Sequence, residues 1–198
     1  MMVACDPNHS CSIPRDAVEC PDDAGVSPVD TSLLCRECAR TGHTCCQGHD
    51  IYVTVKDCRR IEHHTRQHDF FEFRGCTDAA YADQTDDPLW RQFVFRPDGS
   101  RRVLKRHPDG DCFFLAAEGC LLPLAVRPLV CRLFPHTYSA RGIDTAWDPE
   151  CPAARCMPGA VIEAQIAGVA SMDAAQWHLQ LYRELVEEDR VDENWTDL

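Results

Sequence analysis

The chain has 198 residues, 44% of them apolar, and a formal net charge of −12 at pH 7. That is enough apolar material for one ordinary domain with a core, and it argues against global disorder. The acidity argues against nucleic acid or an anionic membrane as the main partner, and no apolar run approaches the roughly 20 residues that cross a bilayer.

Fourteen cysteines is a dense usage for this length. The opening MMVACDPNHSCSIPRD has neither a basic nor an apolar signal region, so a soluble, cytoplasmic protein is expected. Thiols stay reduced in that compartment. The cysteines are therefore read as metal ligands or redox groups rather than disulfides.

Residues 1–30 are polar and proline-containing, and are expected to form a loosely ordered extension. It carries Cys5, Cys11 and Cys20, read as accessory. Residues 35–46, CRECARTGHTCC, place four cysteines in an expected irregular loop. Thr54 followed by Asp57 predicts a helix start, and a helix is expected over about 55–67 with a narrow apolar face of Val55, Cys58 and Ile61. His63, His64 and His68 fall on or just past it and read as a solvated face. Residues 69–91 are expected to be irregular, anchored by Trp90.

Around Pro97-Asp98-Gly99-Ser100, two β-prone runs, QFVF and RRVLKR, predict a hairpin. HPDG at 107–110 predicts another turn. The hairpin is basic: Arg96, Arg101, Arg102, Lys105 and Arg106. These arginines either face an anionic ligand, balance a thiolate-rich site, or guard an exposed strand edge. Pro128 suits the start of a short helix through Leu133, and Pro135 ends it. A helical stripe runs through Val161, Ile162, Ile166 and Val169. Asp173 with Gln176 predicts a capping box for a second helix bearing Trp177, Leu181, Leu185 and Val186. The acidic stretch ELVEEDRVDENWTDL, from Glu184 onward, is expected to fray.

Cys35-x2-Cys38 lets one turn of backbone offer two sulfurs to one metal, as in four-cysteine zinc sites and iron–sulfur sites. Cys45 and Cys46 are adjacent, their side chains tend to diverge, and one simple solution sends them to two sites. Cys112, Cys120, Cys131 and Cys151 form a second set. Four thiolates around zinc, or around a [4Fe–4S] cluster in its 2+ state, leave a net charge of about −2 that needs donors. Arg127 and Arg132 flank Cys131 and are read as that cofactor-facing support.

The pattern Cys35-x2-Cys38…Cys45-Cys46, Cys112-Phe113-Phe114-Leu115…Cys120…Arg127-Pro128-x-x-Cys131-Arg132-x-Phe134-Pro135…Cys151-Pro152 resembles the YkgJ-type, or CxxCxxCC, cysteine-cluster family. Val53-Thr54-x-x-Asp57-x-x-x-Ile61 resembles the segment that follows its first cysteines. The resemblance covers about residues 33–153. It implies a zinc or iron centre held by these eight cysteines. Some relatives are flagellin lysine methylases in which such a domain forms part of the enzyme. This chain departs in its longer Cys38–Cys45 spacing, which includes His43 as an alternative ligand, and in Leu124-Ala125, where relatives often carry an aromatic. Cys58, Cys76 and Cys156 have no counterpart in the pattern, and Cys58 reads as a buried thiol.

Three functions compete. One is a metal-binding module, with an iron–sulfur cluster slightly favoured over zinc and a protein or peptide as partner. The second is an iron–sulfur enzyme or subunit that modifies a peptide side chain. No residue is assigned as catalytic. His136 is the best-placed candidate, or else a hydrogen-bonding neighbour of the centre. The third is thiol redox chemistry at Cys35-x2-Cys38, which lacks a thioredoxin-like βαβ context. No Walker A loop, GxGxxG turn, GxSxG elbow or radical-SAM cysteine triplet is present. The expected fold is α+β: a small, irregular, metal-centred domain over 31–191, with cysteine-bearing loops, a short β-hairpin and C-terminal helices. Residues 192–198 form the tail.

Overall fold

The computed structural model describes residues 38–39, 44–76, 79–83, 85–148, 151 and 171–188. Cys5, Cys11, Cys20, Cys35, His43 and Cys156, and the expected helix beginning near Pro158, lie outside them.

Helix α1, Val55–Thr65, starts as its sequence dictates. The Thr54 hydroxyl accepts from Asp57 N at 2.9 Å, and Asp57 Oδ2 accepts from Thr54 N at 3.1 Å, a reciprocal capping box. It ends at Arg66 in the left-handed conformation. Cys58 and Ile61 are buried, and His63, His64 and His68 are exposed.

The segment after α1 is ordered rather than irregular. It forms β1, Phe71–Gly75, then the short helices α2, Ala79–Ala82, and α3, Pro88–Val94. Asp87 caps α3 by accepting from Trp90 N at 3.0 Å, and Pro88 pre-sets the first turn. Trp90 is the anchor expected of it, 1% exposed.

The expected hairpin does not form. QFV belongs to α3, and β2, Ser100–Leu104, pairs antiparallel with β1, Phe71 opposite Leu104 and Gly75 opposite Ser100. Only the turn holds: Arg96 N bonds Ser100 O at 2.8 Å, and Gly99 takes φ +79°. FEFRG outcompetes QFVF because the latter is consumed by a capped helix, and strand pairing is decided by context more than propensity. The turn at 107–110 also forms, with Gly110 N on His107 O at 2.9 Å.

Residues 51–53 run along the other edge of β2. Leu104 N bonds Ile51 O at 2.9 Å and Val53 N bonds Arg102 O at 3.2 Å. Their side chains alternate. Tyr52 enters a cluster with Trp90, Leu129, Leu133, Tyr138, Leu181 and Leu185. Ile51 and Val53 enter a second one with Ile61, Phe70, Leu104, Phe114 and Leu122.

A small hairpin follows, β3, Leu115–Ala116, and β4, Gly119–Cys120, with Leu115 opposite Cys120. Helix α4, Leu129–Leu133, presents Leu129 and Leu133 to the first cluster. Strands β5, His136–Ser139, and β6, Gly142–Trp147, form the third antiparallel pair.

Helix α5, Ser171–Glu188, packs on α4 and α3 through Leu181 and Leu185, both fully buried. Burying such side chains contributes about 1.5–3 kcal/mol each. It begins before Asp173, which lies in the first turn rather than at the cap. Residues 184–188 do not fray: Glu184 and Glu188 are buried and paired. The architecture is a small mixed fold of helices and short antiparallel pairs, consistent with α+β. Among the described residues, no helix is long and apolar enough to cross a membrane.

Candidate metal centre

Backbone pairing brings the first cysteine loop onto the second. Cys112 N bonds Cys46 O at 3.0 Å and Gly48 N bonds Gly110 O at 3.2 Å, with Gly48 at φ +71° allowing the turn. The loop itself is braced by Thr44, whose hydroxyl accepts from Cys46 N at 3.3 Å. The β3–β4 hairpin delivers Cys120, and α4 delivers Cys131.

Four of the sequence-expected cysteines, Cys45, Cys46, Cys120 and Cys131, line one cavity of about 100 Å³. Adjacent Cys45 and Cys46 both line this cavity. Cys112 stands behind it, buried, within electrostatic reach of Cys46 and Cys120. Cys151 is buried, and its N–H bonds the carbonyl of cavity-lining Asp148 at 3.1 Å. Cys38 is half-buried and is not one of the lining residues. No disulfide joins the described cysteines.

The thiols divide by environment. A hydrogen bond from Cys45 lowers the Cys46 pKa, with help from the Arg127 charge and against the effect of burial. Burial pushes Cys112 up to about 12 and raises Cys131 well above an ordinary thiol. Neighbouring sulfurs reinforce both. A cation placed among them would invert that preference, because metal ligation deprotonates a coordinating thiol.

Arg127 lines the cavity, with Nε on Leu122 O at 2.9 Å. Arg132 turns to the loop before it, with Nε on Arg127 O at 2.8 Å and Nη2 on Ala125 O at 2.6 Å. It thus braces the segment that carries Arg127.

The wall opposite the sulfurs is aromatic. Trp90 stands 5.4 Å from Tyr52 and 6.4 Å from Tyr138, centroid to centroid, and its indole N–H donates to Tyr81 Oη at 3.2 Å. Tyr52, Tyr81, Trp90, Phe134 and Tyr138 all line the cavity, as do His136, Asp148 and Asp50. Burial pushes His136 toward its neutral form. Apart from Trp90 and His136, sequence reading missed this wall. The alternation in IYVTV and the Asp-Pro-x-Trp helix start were its available signals.

Of the basic residues of 96–106, Arg96 is exposed and Lys105 and Arg106 are half-buried, but Arg101 and Arg102 are no exposed guard. Arg101 is 1% and Arg102 6% exposed. Asp50 receives three of the chain's arginines: Arg74 at 2.7 Å, Arg101 at 3.0 Å and Arg106 at 2.5 Å. Glu72 takes the other end of Arg74. Three cations face two carboxylates in this network. Among the described residues, Arg101 Nε and Nη1 and Arg106 Nε are buried without an acceptor. Such orphaned donors are costly.

These observations bear on whether a metal group suits the residues present. The donor type fits, since all the candidate ligands are thiols, which suit zinc and iron–sulfur centres. A cation is in place as well, since Arg127 lines the cavity and its charge acts on Cys46. As placed, no three His, Cys, Asp or Glu side chains among the described residues are grouped to hold one ion.

No curated protein sequence and no solved structure matches the chain at significance. Residues 34–156 match the family model CxxCxxCC, described as "Putative zinc- or iron-chelating domain", and the chain belongs to that family.

Proposed function

We propose that the chain is a metal-binding module whose centre is held by Cys35, Cys38, Cys45, Cys46, Cys112, Cys120, Cys131 and Cys151. The observation that carries this is the meeting of Cys45, Cys46, Cys120 and Cys131, from three separate chain segments, at one cavity beside Arg127. An iron–sulfur cluster is favoured over zinc. An all-thiolate donor set with an arginine beside it suits such a cluster, and zinc accepts the same four thiolates. A bound cluster would supply electron transfer, and bound zinc would supply cross-linking alone. The residues of this chain supply thiolates, counter-charge from Arg127 and the Asp50 arginines, and an aromatic wall that excludes water. The setting would be a reducing one such as the cytoplasm, with a protein or peptide as partner.

Metal and sulfide analysis with an absorbance spectrum, on protein purified without oxygen, tests the reading. Broad visible absorption with iron and sulfide establishes the cluster. A colourless protein with stoichiometric zinc keeps the metal module and removes the cluster. Protein with neither, and with every thiol open to titration, overturns the proposal.

One observation favours an enzyme that modifies a peptide side chain: His136, Tyr138 and Asp148 line the same cavity as the sulfurs. Loss of turnover in His136→Ala with metal content intact would support it. Unchanged turnover removes His136 from that chemistry.

A further inference from the structure

Helix α4 carries Cys131 and has only five residues, too few to persist alone in water. Its cap is Pro128, which makes no side-chain capping bond. The acceptor comes instead from α1, 72 positions upstream. Asp57 takes the Leu129 N–H at 3.2 Å through Oδ1 and at 3.4 Å through Oδ2. The same carboxylate accepts from Thr54 N at 3.1 Å and pairs with Arg60. Arg60 continues to Glu184 of α5 at 2.8 Å, and the Thr54 hydroxyl donates to Glu184 at 2.5 Å. Asp57, Thr54 and Glu184 are all buried. Helix α5 lies outside the 34–156 family match.

We propose that the buried relay Glu184–Arg60–Asp57–Leu129 is a clamp by which α5 holds the Cys131 turn against the cavity. Asp57 is then a positioning residue for Cys131, and α5 is a retention element added to the family domain. The geometry demands a carboxylate. Oδ2 serves Thr54, while Oδ1 serves Leu129 and Arg60, and an amide has one acceptor where two are used. A negative group at the start of α4 also complements its dipole. The consequence for metal retention rests on the metal-binding reading, but the clamp itself does not.

The test maps alkylation rates at individual cysteines by mass spectrometry, in metal-free reduced protein. Asp57→Asn is expected to speed Cys131 about tenfold, the scale of one lost charge-assisted hydrogen bond on a local opening. Cys112 and Cys120, which lie outside α1 and α4, keep their wild-type rates. Glu184→Gln, the milder variant, moves Cys131 in the same direction and covers the case in which Asp57→Asn does not fold. In metal-loaded protein, release to a chelator accelerates in parallel. A common rise at all three cysteines means general loosening and overturns the clamp, as does an unchanged Cys131. If the wild type binds no metal, the proposed function fails while the alkylation rates still decide the clamp.

Discussion

Asp57 is buried among charges, and its titration should be visible in folding stability. Burial raises its carboxyl from 3.8 to about 6, against the pull of Arg60 and the Thr54 N–H and with a push from Glu184. At about 1.4 kcal/mol per pH unit, keeping it ionised costs about 3 kcal/mol. The folded pKa lies above the unfolded one, so the native state binds more protons between 3.8 and 6. Stability from this group therefore rises as pH falls through 6 and is complete below 3.8. Urea unfolding of metal-free, reduced protein at pH 7.5, 6.5, 5.5 and 4.5 measures it, wild type beside Asp57→Asn. His136 and the groups that touch neither Asp57 nor Arg60 contribute alike in both proteins and cancel in the difference. Relative to the variant, wild type should gain about 2 kcal/mol between pH 7.5 and 4.5. A flat difference would refute the reasoning. A difference that falls toward acid would mean that Arg60 outweighs burial.

Two further substitutions separate charge from scaffold. Arg101→Met removes a buried cation with two orphaned nitrogens, and Asp50 keeps Arg74 and Arg106. Replacing a whole buried ion pair by apolar groups is often neutral, or stabilising by about 1–4 kcal/mol. The cost of removing one partner comes from stranding the other charge, which Arg74 and Arg106 prevent at Asp50. Metal-free Arg101→Met should therefore unfold at no lower urea concentration than wild type, while its metal should be lost to a chelator more readily. Equal losses in both forms would make Arg101 an ordinary ion-pair partner. Cys58→Ala should leave metal content unchanged and cost about 1–2 kcal/mol, because its thiol is buried in the α1 core and pushed up to about 12. Loss of bound metal in that variant would place Cys58 at the centre.

Short-range features were legible because their partners sit a few residues apart. Thr54 and Asp57 form the box that their spacing implies, Leu129–Leu133 runs between Pro128 and Pro135, and Gly99 and Gly110 turn where they stand. The cysteine spacing pointed to the family. Of the eight sulfurs that the resemblance implied, Cys45, Cys46, Cys120 and Cys131 line the cavity, and Cys38, Cys112 and Cys151 do not.

Tertiary structure decided the rest. RRVLK could pair with either flank, and it chose FEFRG because Asp87 had already committed QFV to a helix. Five basic residues in eleven left open an anionic ligand, a thiolate-rich site or a guarded strand edge, and Asp50 and Glu188, distant in sequence, drew Arg101 and Arg102 inside. Glu184 and Glu188 read as part of a fraying tail, until α5 docked on α4 and set them against Arg60 and Arg102. In each case the outcome depends on a partner brought near only by the folded chain. A sequence specifies its caps and turns locally, but whether a charge is buried or a strand is paired is a property of what it meets.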